Sequence, residues 1–103
     1  METYCVLANF RGKTVSSQEE GKEAEQTFVK AIESLGGKYV AYYSLLGRYD
    51  ALFLIQVPDS KAIASLMHGW KLVQPDIRTE TMRAFTSEEY EEVMQSVQSM
   101  MKG

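Results

Sequence analysis

Hydrophobic and polar residues follow two different periods along the chain, and the change of period marks the predicted elements. Residues 3–10 are uncharged and rich in β-branched and aromatic types, which predicts an internal strand. From Ala24 to Leu35 the apolar residues recur at helical spacing, and a Gly-Gly pair follows them as a helix end. Ser17 and Glu20 have the spacing of a capping box ahead of that helix. The chain therefore opens with a strand and an amphipathic helix.

Two further strand-like runs, residues 38–46 and 49–57, are separated by only two residues, Gly47 and Arg48. A two-residue loop with Gly first is typical of a type II′ hairpin turn, because Gly takes the positive φ there without strain. The two runs are therefore predicted to pair directly.

A second helix is predicted to begin at Pro58 and Asp59, since Pro suits a first turn and Asp suits an N-cap. Residues 77–85 form a strand-like run with alternating charges, which is typical of an edge strand. The predicted buried face of the second helix consists of Ile63, Leu66, Met67 and Trp70.

The last predicted element is a third helix over residues 87–102, introduced by a capping box of Thr86 and Glu89. It carries an apolar stripe of Tyr90, Val93, Met94, Val97 and Met101.

The order β-α-β-β-α-β-α predicts the fold class. We expect one α+β domain over residues 1–103: a ferredoxin-like βαββαβ sandwich with the helix over 87–102 as a C-terminal extension. Its antiparallel sheet should have the strand order 4-1-3-2. That order places the first and third strands, the two least polar runs, in the centre.

Both faces of this sheet are apolar. On the first strand the apolar side chains of Val6 and Leu7 point to opposite faces of the sheet. On the second strand Tyr39 and Tyr43 are expected to lie on one face and Tyr42 on the other. Two helices can cover one face only. The other face would leave an apolar patch of roughly several hundred Å², more than soluble monomers usually expose.

Two coverings are open: a second copy of the chain, or the third helix folded back over its own sheet. Burial of about 600 Å² of apolar surface contributes roughly 15 kcal/mol, which can exceed the ~4–15 kcal/mol cost of association. A helix of about 16 residues spans only about 24 Å. We therefore predict that the chain partners with itself, as a homodimer or higher oligomer, with the third helix on the rim or on the partner.

Composition narrows the functional classes. A chain of 103 residues with 45% hydrophobic residues holds one core, and a formal charge of -3 argues against a nucleic-acid partner. Ala51 to Ile55, the longest apolar run, is too short for a membrane span, and no targeting segment is visible. A single cysteine allows no intrachain disulfide. We expect a cytoplasmic protein without a membrane partner.

Candidate ligand-binding residues gather at one end of the predicted sheet, where the first strand ends and the third and fourth strands begin. Charge-assisted hydrogen bonds there would hold a small carboxylate or amide. In the alternative interpretation, Asp50 braces the hairpin or pairs with an arginine. The candidates are Asn9, Arg11, Arg48, Tyr49, Asp50, Arg78 and Glu80.

No catalytic residue, metal site or cofactor is predicted. His68, the one histidine, falls off the apolar stripe of its helix and is expected to face solvent without a second histidine as co-ligand. Cys5 lies on an internal strand and is expected to act as a small core hydrophobe.

Three segments resemble the GYD domain family: GRYD at 47–50, VPD at 57–59 and RTETMRAFT at 78–86. The similarity runs from the first strand to the start of the last helix. The resemblance implies a ferredoxin-like domain that pairs as a dimeric α+β barrel, with no established activity. A looser likeness, through the hairpin motif and a T-x-T in the last strand, links the chain to effector-binding domains of Lrp/AsnC regulators. Those domains bind small molecules at subunit interfaces.

Together these observations predict a small homo-oligomeric domain that binds a small molecule near the hairpin and the subunit interface. One alternative is a cofactor-free enzyme of monooxygenase or isomerase type, since dimeric α+β barrels host such activities. The other is a protein-interaction or assembly module, in which the methionine-rich last helix is an adaptable contact surface.

Overall fold

The computed structural model describes residues 1–11 and 18–102, with the backbone alone for residues 18 and 19. The predicted capping box at Ser17 lies outside the described residues. None of the described helices is long and apolar enough to cross a membrane. The elements are β1 (Glu2–Asn9), α1 (Gln18–Ser34), β2 (Lys38–Ser44), β3 (Ala51–Val57), α2 (Ser60–Val73), β4 (Arg78–Ala84) and α3 (Ser87–Lys102).

The four strands form one antiparallel sheet in the order β2-β3-β1-β4. β1 pairs with β3 on one side and with β4 on the other, so that Ala8 lies opposite both Ala51 and Thr79. The predicted ferredoxin-like α+β fold and the 4-1-3-2 strand order are confirmed. The charged β4 lies at an edge, as its alternating pattern predicted.

The core lies between one face of the sheet and the helices α1 and α2. Side chains along β1 and β3 alternate between buried and half-buried. Phe28 and Trp70 pack their rings on Phe53, with centroids 5.0 and 5.4 Å away. The buried residues are Tyr4, Val6, Ala8, Ile32, Ala51, Phe53, Ile55, Val57, Ala62, Ile63 and Leu66.

The opposite face, which we call the open face, keeps its apolar side chains in contact with solvent. Its centre holds the half-buried side chains of Cys5, Leu7, Leu52 and Leu54. At its edges Tyr43 is 60% exposed and Met82 is 42% exposed.

The helix α3 does not seal the open face, because none of its side chains is buried. Tyr90 is 53% exposed and Met101 is 82% exposed. The radius of gyration is 16.2 Å, against about 13 Å for a compact chain of this length, and the longest dimension is 57 Å. The sequence left two possible ways to cover this face. The structure shows that α3 does not fold back over the sheet of its own chain.

The strand β2 departs from regular alternation. Tyr39 pairs with Ile55 and Ala41 pairs with Leu54, so the register shifts by one residue between them. Tyr39 and Tyr42 therefore both lie on the helix-covered side, where their rings contact Phe28 and Phe53. The prediction that Tyr39 and Tyr43 share a face was wrong, because a bulge reverses every side chain beyond it.

The connection between β2 and β3 is longer than the predicted two-residue turn. Leu45 donates its backbone N–H to Asp50 O at 2.8 Å, which closes a loop over residues 46–49. Asp50 in turn donates its N–H to Ala8 O at 2.8 Å and is thereby tied to β1. Gly47 takes a φ of +136°, so the glycine is needed for its conformation even though the turn type was wrong.

Both helix starts after β3 are capped as predicted. The Asp59 carboxylate accepts the Ala62 N–H at 3.0 Å, and α2 begins there. Thr86 and Glu89 form the reciprocal capping box of α3, with distances of 2.8 and 3.1 Å. The hydrogen bond from the Thr86 backbone lowers the pKa of Glu89. These caps fix the points at which each helix leaves the sheet.

Gly37 is expected to be essential for the packing of β2 against β3. A Cβ at this position would lie 2.5 Å from the Gln56 carbonyl oxygen and 2.9 Å from Val57 Cγ1. Gly37→Ala should therefore lower the free energy of unfolding by about 1–3 kcal/mol in urea denaturation. Gly69→Ala is the control, since a Cβ there meets nothing within 4 Å and should add up to about 1 kcal/mol. Equal stability of the two variants would contradict this close approach.

Candidate functional site

The end of β1 and the starts of β3 and β4 meet at one end of the sheet, as the strand order requires. Asn9 lies opposite Arg78 in the register, and its amide donates to the Arg48 carbonyl at 2.9 Å. The Asp50 carboxylate accepts the Phe10 N–H at 2.8 Å. Asp50 thereby ties the loop to the end of β1.

The hairpin loop places a phenol beside a carboxylate at the rim of the open face. Tyr49 donates its hydroxyl hydrogen to Glu80 at 2.6 Å. Glu80 lies opposite Leu7, whose side chain belongs to the open face. The Arg48 guanidinium carbon is 5.9 Å from the centre of the Tyr49 ring. A hydroxyl, a carboxylate and a guanidinium are thus grouped where the apolar surface ends.

The hydrogen bond to Glu80 raises the pKa of Tyr49, and partial burial and the negative charge of Glu80 act in the same direction. The charges of Arg48 and Arg78 act against this rise. Tyr49 therefore keeps its proton in neutral solution and acts as a hydrogen-bond donor, while two cations stand within electrostatic reach of it.

The seven candidate residues form three groups rather than one pocket. Arg48, Tyr49 and Glu80 form the polar group at the rim of the open face, which we call the rim group. Asn9 and Asp50 are engaged with backbone atoms of the strand end and the loop. Arg11 and Arg78 line a cleft of about 450 Å³ between the end of α2 and the start of β4, which we call the α2–β4 cleft.

Sequence reasoning missed the residues that α2 contributes to the α2–β4 cleft. They are Met67, His68, Trp70 and Lys71, and the C-cap residue Gln74 follows them. His68 and Lys71 are three positions apart on the exposed side of the helix, so that they lie on one face of it. This spacing was visible in the sequence, but its proximity to Arg11 depends on the packing of α2 beside β4.

The single histidine and the single cysteine lie apart. His68 is exposed, as predicted. Cys5, which was expected to act as a small core hydrophobe, lies half-buried on the open face, outside the buried core. Burial raises the pKa of its thiol, which disfavours the thiolate form. Among residues 1–11 and 18–102, no cluster of three or more histidine, cysteine or acidic side chains could hold a metal ion.

The fold and the strand-end site place the chain among ferredoxin-like α+β domains. A model of the GYD domain matches residues 4–94, and the chain therefore belongs to the GYD domain family. No curated protein matches the sequence.

Solved structures support the same fold. TTHA0845 from Thermus thermophilus is 27% identical, with a TM-score of 0.53 over 84% of this chain and 96% of that chain. The leucine response regulatory protein LrpA of Mycobacterium tuberculosis is 15% identical, with a TM-score of 0.52 over 84% of this chain and 51% of its own. FFRP-DM1 is 20% identical, with a TM-score of 0.52 over 82% and 100%. At this identity the last two show similarity of fold alone.

The coupling between Tyr49 and Glu80 can be tested by titration. In the wild-type protein the Tyr49 phenol should titrate above the ordinary value of about 10, because its phenolate would face a carboxylate. Glu80→Gln removes that charge and should lower the titration midpoint, followed by NMR of ¹³Cζ-labelled tyrosine.

Glu2→Gln is the matched control for this titration. Tyr4 donates to Glu2 at 2.6 Å, and that hydrogen bond is the main reason its pKa is raised. The control should lower the midpoint of Tyr4 and leave Tyr49 unchanged. An unchanged Tyr49 midpoint in Glu80→Gln would show that the two side chains are not coupled in solution.

Proposed function

We propose that the chain is a cytoplasmic homo-oligomeric domain that binds a small carboxylate or amide between the hairpin loop and the subunit interface. The observation that carries the proposal is the open face, an apolar sheet surface with a polar group at its rim. The apolar part favours a partner surface, and the rim group favours a ligand. The single cysteine, whose thiol is held protonated, suits a reducing compartment.

The size of the open face supports pairing that also uses α3. Four strands about 4.8 Å apart and about seven residues long make a face of under about 500 Å². A standard interface takes about 800 Å² from each partner. The exposed stripe of α3, which includes Tyr90 and Met94, can supply the difference by packing on the partner. When two sheets pack face to face with α3 at their rim, the open face and the apolar stripe of α3 are both buried in one arrangement.

Pairing would change the environment of the rim group. Exclusion of water lowers the effective dielectric and strengthens the charge-assisted hydrogen bonds that a guanidinium can make. Arg48 and Arg78 would then hold a carboxylate, and the Tyr49–Glu80 pair would meet an amide or amine. Asn9 and Asp50 keep the loop in place, and Arg11 lies beyond them at the strand end.

The exposed stripe of α3 also favours a second candidate function, an assembly module. Phe85 and Tyr90 have ring centroids 6.3 Å apart and continue the stripe towards β4. In that case the partner would bind through α3 and no small molecule would be needed. The enzyme alternative would need an enclosed, polar-lined cavity around a titratable group of shifted pKa, whereas Tyr49, whose pKa is raised, lies at the rim of the open face.

Self-association should depend on the open face. Leu54→Glu places a charge at its centre and should convert the oligomer to monomer, measured as mass in solution by light scattering. Leu72→Glu is the control: Leu72 is on α2 and 72% exposed, so the same change should leave the mass unaltered. A wild-type protein that stays monomeric at high concentration would contradict the pairing.

Ligand binding should depend on Arg48. A panel of amino acids and short carboxylic acids is screened by thermal shift, and the affinity of each hit is measured by calorimetry. Arg48→Gln should weaken binding about tenfold, as expected when a charged hydrogen bond is lost. Lys30→Gln, on the exposed side of α1, should bind like the wild-type protein. Equal affinity of the Arg48→Gln and Lys30→Gln variants would show that Arg48 is not part of the binding site. Binding that persists in a monomeric Leu54→Glu variant would show that the site does not need the subunit interface.

A further inference from the structure

We infer that the α2–β4 cleft is a second binding site, which takes a small molecule carrying a doubly charged oxyanion group, a phosphate ester or a dicarboxylate. The site lies apart from the rim group and does not require the proposed function to be correct, although the two proposals share Arg78. The basic residues that line it are Arg11 after β1, His68 and Lys71 on α2, and Arg78 at the start of β4.

The charge of the cleft is unlike that of the chain. The chain as a whole carries a formal charge of -3, yet this cleft gathers two arginines, a lysine and a histidine. Asp76 is the one acidic side chain among the described residues of the lining. Like charges held in one cleft repel each other, and a bound dianion would relieve that repulsion. Guanidinium groups also match the paired oxygens of phosphate and carboxylate.

A simpler explanation accounts for part of this cluster. Lys71 lies in the last turn of α2, where a cation interacts favourably with the negative end of the helix dipole. That explanation does not extend to Arg11, which follows β1, or to Arg78 on β4. The presence of basic residues from three parts of the fold in one cleft therefore needs a further explanation.

The backbone conformation of Arg11 supplies a further explanation for this cluster, namely a binding site. Arg11 has a φ of +54°, a left-handed conformation that non-glycine residues rarely adopt. The Asn9 side chain stabilises it, because Asn9 Oδ1 accepts the Arg11 N–H at 2.7 Å. Asn9 is itself fixed by its hydrogen bond to Arg48 O. Unfavourable backbone conformations of this kind cluster at binding sites, where they hold a side chain in position.

The cleft also has an apolar wall suited to the rest of a metabolite. Met67, Trp70 and Ile77 are half-buried against the core and line it. The Trp70 ring is fixed, since its indole N–H donates to Gln74 at 3.0 Å and its face contacts Phe28. A cavity of about 450 Å³ lies within the range of small-ligand sites. The expected ligand is thus a compact dianion with a small apolar portion.

The experiment follows backbone amide signals of the ¹⁵N-labelled full chain during titration with inorganic phosphate, and separately with succinate, at matched ionic strength. Binding should saturate in the millimolar range, because these probes lack the apolar portion. The shifted signals should map to residues 67–79 and to Arg11. Saturation by phosphate alone identifies a phosphate ester as the ligand class, and saturation by succinate alone identifies a dicarboxylate. Saturation by both probes shows that the cleft recognises the oxyanion chemistry that the two share.

The variant Lys71→Gln isolates this site from the rim group, since Arg78 also acts electrostatically on Tyr49. It should weaken binding about fivefold, the upper effect of one exposed charge, and Lys71→Arg should restore it. Lys61→Gln, at the exposed start of the same helix, is the control and should bind like the wild-type protein. The proposal is overturned if neither probe saturates, if the shifts do not map to the cleft, or if Lys61→Gln weakens binding as much as Lys71→Gln.

Discussion

The structure depends on a mismatch between the sheet and the helices available to cover it. Both faces of β1 and β3 carry apolar side chains, but α1 and α2 pack on one face only. Burial of Val6, Phe53 and Ile55 between sheet and helices provides the core that keeps the domain folded. The same strands expose Leu52 and Leu54 in part on the other side. An apolar surface of that extent in water is unfavourable, and this cost is the physical basis of the proposed pairing with a second copy of the chain.

The sheet with two apolar faces also determines where polar chemistry can lie. A charged side chain in the middle of either face would be desolvated in the core or in the interface. On the two central strands, β1 and β3, polar side chains therefore lie only near the strand ends. At one end of the sheet Asn9, Asp50 and Arg78 come together. Some of these groups serve the backbone: Asp50 satisfies the Phe10 N–H, and Asn9 holds both Arg48 O and the Arg11 N–H.

Local patterns were enough to predict the elements, the sheet order and the caps, because each depends on residues close in sequence or on alternation. Asp59 and the capping box of Thr86 and Glu89 are examples. The bulge after Tyr39 was not predictable, since no local rule distinguishes an extra residue in an aromatic strand from a regular one. The hairpin loop was also missed, because Asp50 bonds to β1, a strand that lies 40 residues earlier in the chain. The candidate site residues were predicted as one group because the strand order shows which strand ends meet. The strand order does not show on which of the neighbouring surfaces each side chain lies.

The two clusters at the sheet end have different relations to assembly. The rim group borders the open face, so that its solvent exposure and the strength of its hydrogen bonds would change when a partner binds. The α2–β4 cleft lies against the helix-covered side, where Trp70 joins the core. Arg78 stands between the two and acts on Tyr49 while it lines the cleft.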